Sequence, residues 1–228
     1  MRKYELTSET KVINGVKLHR IKALESFGRV EKGELGGWIE SEKNLSQDGD
    51  AWVGDNATVG GDATVCGDAT VGGNATVCGD AFICGKATVG GNATVCGKAM
   101  VYGDATVGGN ATVGGNATVI DNATVSGNAT VYGYARVYDN VKVGGNATVS
   151  GNATVCGNAD FIVFKNWWSS GRYFTWTRSN NKWEVGCFYG SGEELIAKAY
   201  KDSEKSGREY ERVVKYVESI LKEENNNK

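Results

Sequence analysis

The chain reads VGDNAT from Val53 to Thr58 and VGGDAT from Val59 to Thr64, and units of this length continue to Asp160. The stretch is 108 residues long and divides into 18 consecutive six-residue units without an insertion. A repeat of fixed period is the mark of a stacked architecture. This stretch therefore decides the fold.

Each unit combines a short strand with a sharp corner. In Ala57-Thr58-Val59 the small and the aliphatic side chain share one face of the strand, and the Thr side chain points to the other face. The corner pair is Gly-Asn, Gly-Asp, Asp-Asn or Gly-Lys, and such pairs accept positive φ angles. Three units close a triangular coil, so the stretch makes six coils that stack at ~4.8 Å per coil.

The pattern aliphatic-Gly-x-x-Ala-Thr resembles the hexapeptide-repeat left-handed β-helix family, the fold of many acyltransferases. The resemblance covers about half of the chain. We therefore predict a mainly β protein: a left-handed parallel β-helix of six regular triangular coils, with an N-terminal β-hairpin cap and a small C-terminal α+β domain. The predicted boundaries are 1–52 for the hairpin and capping region, 53–163 for the β-helix and 164–228 for the C-terminal hairpin plus two helices.

The flanking segments carry signals of their own. Asn14-Gly15 between two apolar runs predicts a hairpin turn. The Gly-Gly-Trp-Ile segment at 36–39 is similar to uncharacterised repeat proteins of phages and prophages that carry an acyltransferase label. Beyond the repeat, residues 172–177 and 183–188 predict a second hairpin, and helices are expected near 192–202 and 206–223. The segment from Val185 to Gly190 resembles a small domain found at the C-terminus of repeat-bearing phage proteins.

One face of the predicted prism departs from the Thr pattern. Its outward column is Thr64, Phe82, Met100, Thr118, Arg136 and Thr154, and its companion column is Cys66, Cys84, Tyr102, Ile120, Tyr138 and Cys156. A cluster of exposed apolar groups usually marks an interface. We predict a homotrimer contact or a surface covered by the C-terminal segment, with Phe82, Met100 and Ile120 as interface residues.

The alternative for this face is a ligand groove between subunits. Tyr102, Tyr134, Arg136 and Tyr138 are its candidate residues. An Arg there would pair with a phosphate or carboxylate, and a Tyr would stack on a ring. The expected ligand is small and nucleotide-like.

The C-terminal segment holds four of the six Trp residues: Trp167, Trp168, Trp176 and Trp183. A domain of this size needs bulky side chains to build a core, which is one interpretation. The other is an aromatic cage for a nucleotide or sugar, with Arg172, Trp176 and Arg178 as candidate binding residues.

Sequence evidence for catalysis is sparse. Acyltransferases of this fold use a His base, and the one His of the chain, His19, lies in the N-terminal hairpin outside the repeat. No loop interrupts the 18 units, and no Ser-His-Asp set or phosphate-binding loop replaces the base. We predict neither catalytic residues nor a cofactor, although a transferase that uses a CoA-type donor stays the alternative.

Composition narrows the partners and the compartment. The net charge is −2 with mixed signs, which favours neither a nucleic acid nor a membrane as partner. We expect no signal peptide, six free thiols, no metal site and a cytoplasmic location, which is the host cytoplasm if a phage encodes the chain. The leading hypothesis is a non-catalytic scaffold or binding protein whose C-terminal domain contacts a host protein, or whose subunit contacts hold a small ligand. A purely structural rod is the third hypothesis.

Overall fold

A computed structural model of the chain describes residues 2–226, with the backbone alone for residue 225. It contains a parallel β-solenoid of about 7 turns that is preceded by an antiparallel hairpin and followed by a small unit of antiparallel sheet and helices. The predicted mainly β solenoid architecture is confirmed. The chain divides into two compact units, one that ends at Asp160 and one that begins at Phe161. The predicted division was three residues later, and residues 1, 227 and 228 lie outside the described part.

The first unit begins with β1 (Tyr4–Ile13), β2 (Val16–Ala23) and β3 (Leu35–Ile39). The solenoid strands that follow are β4 (Trp52–Val53), β5 (Thr58–Val59), β6 (Thr64–Val65), β7 (Thr70–Val71), β8 (Thr76–Val77), β9 (Phe82–Ile83), β10 (Thr88–Val89), β11 (Thr94–Val95), β12 (Met100–Val101), β13 (Thr106–Val107), β14 (Thr112–Val113), β15 (Thr118–Val119), β16 (Thr124–Val125), β17 (Thr130–Val131), β18 (Arg136–Val137), β19 (Lys142–Val143), β20 (Thr148–Val149) and β21 (Thr154–Val155).

The solenoid strands form three sheets, because each strand pairs in parallel with the strand that lies one coil later in the chain, as β9 does with β12. Face 1 runs β3-β5-β8-β11-β14-β17-β20, face 2 runs β6-β9-β12-β15-β18-β21, and face 3 runs β4-β7-β10-β13-β16-β19. The register places residues 18 apart opposite one another, as in the pairing of Thr94 with Thr112. The predicted columns of side chains are therefore present.

The interior of the solenoid is a stack of Ala and Val side chains. The inward residues of each strand and the preceding Ala are fully buried, as Ala93 and Val95 illustrate. Corners contain residues with positive φ, among them Gly97 at φ 69°. Outside, an Asn ladder joins neighbouring coils along one corner, with Nδ2 to Oδ1 distances of 3.1 Å from Asn74 to Asn92 and from Asn92 to Asn110. Each coil thus bonds to its neighbours through backbone and side chains alike.

The solenoid begins earlier than the sequence boundary of 53. Strand β3 pairs in parallel with β5, Trp38 opposite Thr58, and an isolated parallel bridge joins Leu45 to Val65. Gly36 and Gly37 make the repeat pattern hard to recognise here, yet the structure requires both glycines. A Cβ on Gly36 would lie 2.5 Å from the Trp52 ring, and a Cβ on Gly37 would lie 2.7 Å from the carbonyl oxygen of Ala57. The hairpin of β1 and β2 then adds antiparallel strands to the free edge of β3.

Two buried polar side chains hold the hairpin to the first coil. The Lys3 ammonium donates to the carbonyl oxygens of Ala51 at 2.9 Å and Gly49 at 3.0 Å, and lies 5.0 Å from the centre of the Phe27 ring. The Tyr4 hydroxyl donates to the carbonyl of Leu45 at 2.7 Å. Burial lowers the pKa of Lys3, and burial followed by the Glu42 carboxylate raises the pKa of Tyr4 to about 12.

The second unit contains β22 (Phe161–Lys165), β23 (Tyr173–Thr177), β24 (Lys182–Val185), β25 (Phe188–Gly190), α1 (Gly192–Asp202) and α2 (Glu204–Asn226). Its four strands form one antiparallel sheet in chain order. Trp168, Trp176 and Trp183 lie in its core with residues of both helices. Both predicted helices are present, and the predicted hairpin is confirmed as β23 and β24, with β22 and β25 as additional strands.

Candidate functional site

Face 2 carries an apolar patch at its second and third coils. Phe82 of β9 lies opposite Met100 of β12, and each side chain is about 40% exposed, at 39% and 40%. Together with Cys84 and Tyr102 they line a shallow depression with a volume of about 370 Å³. We call these four residues the face 2 patch. Ile120 continues the column below Tyr102 and is half-buried.

Further along face 2, three of the predicted ligand residues share one coil. Tyr134 occupies the corner before β18 and is 65% exposed, Arg136 is exposed on the strand, and Tyr138 follows it half-buried. A hydrogen bond with Cys156 raises the pKa of Tyr138. Tyr102 lies two coils away in the Tyr138 column, ~10 Å along the axis, with Ile120 between them. The structure therefore groups Tyr134, Arg136 and Tyr138 and separates Tyr102 from them.

Four exposed charges frame the face 2 patch at its two corners. Asp80 precedes β9 and Lys98 precedes β12 on one corner, while Lys86 follows β9 and Asp104 follows β12 on the other. Their signs alternate around the patch. None of the four forms an ion pair with another described residue.

The Cys66 thiol of face 2 is a poor nucleophile. Cys66 and Cys84 stack one coil apart and are free in the structure, as are the other described Cys residues. Burial, with the hydrogen bond to Cys84, raises the pKa of Cys66 to about 12. Since the thiolate is the reactive form, this thiol is held in its inert state near neutral pH.

The three residues of the predicted aromatic cage, Arg172, Trp176 and Arg178, do not line one common site in the second unit. Trp176 is 1% exposed, and its Nε1 donates to Asn181 at 2.9 Å, so its ring belongs to the core. The Arg178 guanidinium lies 5.7 Å from the centre of that ring and is held by Glu224 in two contacts of 2.6 and 3.2 Å. Trp167, by contrast, is 75% exposed on the loop after β22.

Arg172 lines a cleft within the second unit, away from the Trp176 ring. The cleft has a volume of about 480 Å³ and lies between the loop after β22, the corner joining β24 to β25, and the junction of the two helices. Its remaining lining residues were not predicted from the sequence, because they come from segments far apart in the chain. The most polar of them are Asn166, Lys198, Asp202, Ser203, Ser206 and Tyr210.

His19 lies within the N-terminal sheet. It sits on β2 opposite Thr10 of β1 and Ile39 of β3, and is half-buried. A cavity of about 530 Å³ in the first unit lies instead beside Trp52 and the loop that includes Arg29 and Glu34. Among the described residues there is no group of three or more His, Cys, Asp and Glu side chains placed to hold a metal ion. The helices of residues 2–226 include none that is long and apolar enough to cross a membrane.

Comparison with known proteins supports the repeat architecture. A family model described as the YdcK β-solenoid repeat matches residues 123–139 and 141–157. The chain is similar to that repeat family over two segments of the solenoid, each close to one coil in length. No curated protein matches the chain. The resemblance to hexapeptide-repeat and phage proteins stays a prediction.

Proposed function

We propose that the protein is a non-catalytic β-solenoid scaffold that assembles with further copies of itself through face 2. The observation that carries the proposal is the exposed patch of Phe82, Met100 and Tyr102 within its frame of alternating charges. Large apolar side chains gathered on one side of a soluble unit favour burial against a partner. The partner of the proposal is a second copy of this chain, and the predicted trimer is the assembly we expect.

Charge complementarity favours a second copy over an unrelated protein. If neighbouring copies align their solenoid axes in parallel, the corner before each strand meets the corner after the equivalent strand at the same coil. Asp80 then faces the neighbour's Lys86, and Lys98 faces the neighbour's Asp104. Both contacts are attractive, so the frame complements itself around the apolar centre. An antiparallel pair also matches charges, but it places Asp80 against Lys98 and Lys86 against Asp104.

The second unit supplies the recognition element of the proposal. Trp167 is exposed on the loop after β22, and aromatic residues are enriched at the centres of interfaces. The earlier hypotheses of a host protein or a small nucleotide-like ligand remain proposals for this unit and for the group of Tyr134, Arg136 and Tyr138. Arg136 lies between the two tyrosines along one strand and corner, which suits a planar anionic ligand.

Light scattering combined with charge reversal tests the assembly. The wild-type protein is expected to have the mass of a trimer at micromolar concentration, and a monomeric mass would refute the proposal. Asp80→Lys places two Lys residues opposite each other and is expected to weaken association about tenfold. Lys142→Asp reverses an exposed charge on face 3 and is the matched control, with no expected change.

Two double variants distinguish the parallel from the antiparallel arrangement. Asp80→Lys with Lys86→Asp restores the attraction in the parallel arrangement and leaves repulsion in the antiparallel one. Asp80→Lys with Lys98→Asp does the reverse. We expect rescue by the first pair. Rescue by neither pair, with both variants folded by circular dichroism, would show that this frame is not the contact.

A further inference from the structure

We propose that the cleft of the second unit binds the oxyanion group, phosphate or carboxylate, of a small molecule with an apolar body. We call it the helix-junction cleft, defined by Arg172, Lys198, Ser203, Ser206 and Tyr210 with their neighbours. This proposal does not depend on the assembly through face 2, because all lining residues belong to the second unit.

Ser203 and Ser206, at the start of α2, line the cleft. Ser203 is the C-cap residue of α1, and its N–H donates to the carbonyl oxygen of Ala199 at 3.1 Å. The Oγ of Ser203 accepts a hydrogen bond from the N–H of Ser206, in the first turn of α2, at 3.1 Å. The N–H groups of Glu204 and Lys205 precede any intrahelical acceptor. Helix α2 is 23 residues long, and the start of such a helix carries partial positive charge. Anions are therefore favoured here.

A buried hydroxyl without a partner points to the same ligand. Ser206 lines the cleft and is only 9% exposed. Its Oγ makes no hydrogen bond to the described residues, yet it is not enclosed by protein atoms, so the cleft is the space open to it. A ligand oxygen in the cleft would replace water as the hydrogen-bond partner of this hydroxyl.

Neighbouring polar groups are arranged to donate rather than to accept. Asn166 is buried, and its Nδ2 donates to the Tyr210 hydroxyl at 3.1 Å and to Ser169 at 2.9 Å. Because Tyr210 accepts from Asn166, its own proton is available to a ligand. Asn166 thus positions the Tyr210 hydroxyl.

Charge in the helix-junction cleft is positive on balance. Arg172 and Lys198 line it, and neither forms an ion pair with another described residue. Asp202 is the acidic residue among the described lining residues. The Arg172 side chain lies beside Gly186, with its Nη1 3.4 Å from where a Cβ of residue 186 would be. An Arg fork and a Lys point charge together suit an oxyanion.

The rest of the lining is apolar and sets the size of the ligand. Val185, Phe188, Leu195 and Ala199 also line the cleft, and the Lys198 ammonium lies 5.6 Å from the centre of the Phe188 ring. A volume of about 480 Å³ lies within the range of small-molecule sites. The expected ligand is therefore larger than an inorganic ion, with a ring or short chain beside the anionic group.

Calorimetric titration of the full chain with four probes tests the proposal. The probes are phenyl phosphate, benzoate, inorganic phosphate and benzyl alcohol. We expect saturable binding of phenyl phosphate or benzoate, weaker binding of inorganic phosphate and none of benzyl alcohol. A preference for phenyl phosphate identifies a phosphate ligand, and a preference for benzoate identifies a carboxylate. Equal binding of benzyl alcohol, or no binding of either aromatic anion, overturns the proposal.

Two Lys variants locate the binding. Lys198 and Lys201 are both exposed on α1, but Lys201 does not line the cleft. Lys198→Met is expected to weaken anion binding about tenfold, and Lys201→Met to leave it within about twofold. Equal losses in both variants would mean a diffuse attraction and refute the site. Ser206→Ala, which removes one neutral hydroxyl, is expected to weaken binding about threefold while the helix cap from Ser203 is retained.

Discussion

Substitution of Tyr4 by Phe is expected to change how the stability of the first unit depends on pH. The Tyr4 side chain is fully buried, and its hydroxyl donates to the carbonyl oxygens of Leu45 at 2.7 Å and Glu42 at 3.2 Å. The phenolate would lie in the same buried place beside the Glu42 carboxylate. The pKa of Tyr4 is therefore raised from 10.0 to about 12 in the folded chain.

The magnitude follows from proton linkage. A group whose pKa is raised on folding contributes stability that is fully present below the unfolded pKa and is lost as pH rises through the folded value. A difference of about two pKa units corresponds to about 2.7 kcal/mol in total. About half of this, ~1.4 kcal/mol, is lost by pH 11. The Phe variant lacks the titrating group and retains none of this dependence.

The assay is urea unfolding of wild type and Tyr4→Phe at several pH values between 8 and ~11.5, with the free energy of unfolding compared at each. At pH 8 the variant is expected to be less stable by about 1 kcal/mol, because two carbonyl oxygens lose their donor. The difference should shrink and then reverse as pH rises, since only wild type loses stability through Tyr4. Curves that stay parallel over the whole range would refute the buried hydroxyl as the cause.

Two further substitutions test the local packing. Lys3→Met removes the donor to the carbonyl oxygens of Ala51 and Gly49. It is expected to lower the free energy of unfolding by about 2–3 kcal/mol, measured by urea titration at pH 7. The control is Lys17→Met, on the exposed end of the hairpin. Gly97→Ala places a Cβ at φ 69° and 2.8 Å from the carbonyl oxygen of Gly115, with an expected cost of about 2 kcal/mol. Gly90→Ala, where the added Cβ meets nothing within 4 Å, is expected to be neutral within about 0.5 kcal/mol, and equal effects at both positions would contradict the steric argument.

The solenoid could be predicted in detail because its determinants are local and periodic. From β4 onward each solenoid strand pairs with the strand 18 residues away, so one period gives both the corner and the register. The face 2 column of Phe82, Met100 and Arg136 followed directly from this count. The first coil did not follow, because β3 pairs with β5 at an offset of 20 residues instead of 18 and carries Gly36 and Gly37 at this point. The two glycines are required by contacts in the folded chain, with the Trp52 ring beside Gly36 and the carbonyl oxygen of Ala57 beside Gly37.

The helix-junction cleft shows the opposite case. Arg172 was selected from the sequence, but with Trp176 and Arg178 as companions, because these residues lie close along the chain. In the folded unit the Trp176 ring is buried and Arg178 is held by Glu224, whereas Arg172 lines a cleft with Lys198 and Ser206. Contacts between distant segments carry no periodic signal, so they were not foreseen.

The uniform spacing of the coils has a consequence for how such a chain changes over generations. A duplication or loss of 18 residues in frame adds or removes one coil, and every remaining ladder, such as Asn92 to Asn110, finds an equivalent partner. A change of six residues also preserves the Ala and Val interior. It moves everything downstream to the next face, however, and would separate Arg136 from the column of Phe82 and Met100. The interior therefore tolerates units of six, while an intact face 2 selects for whole coils.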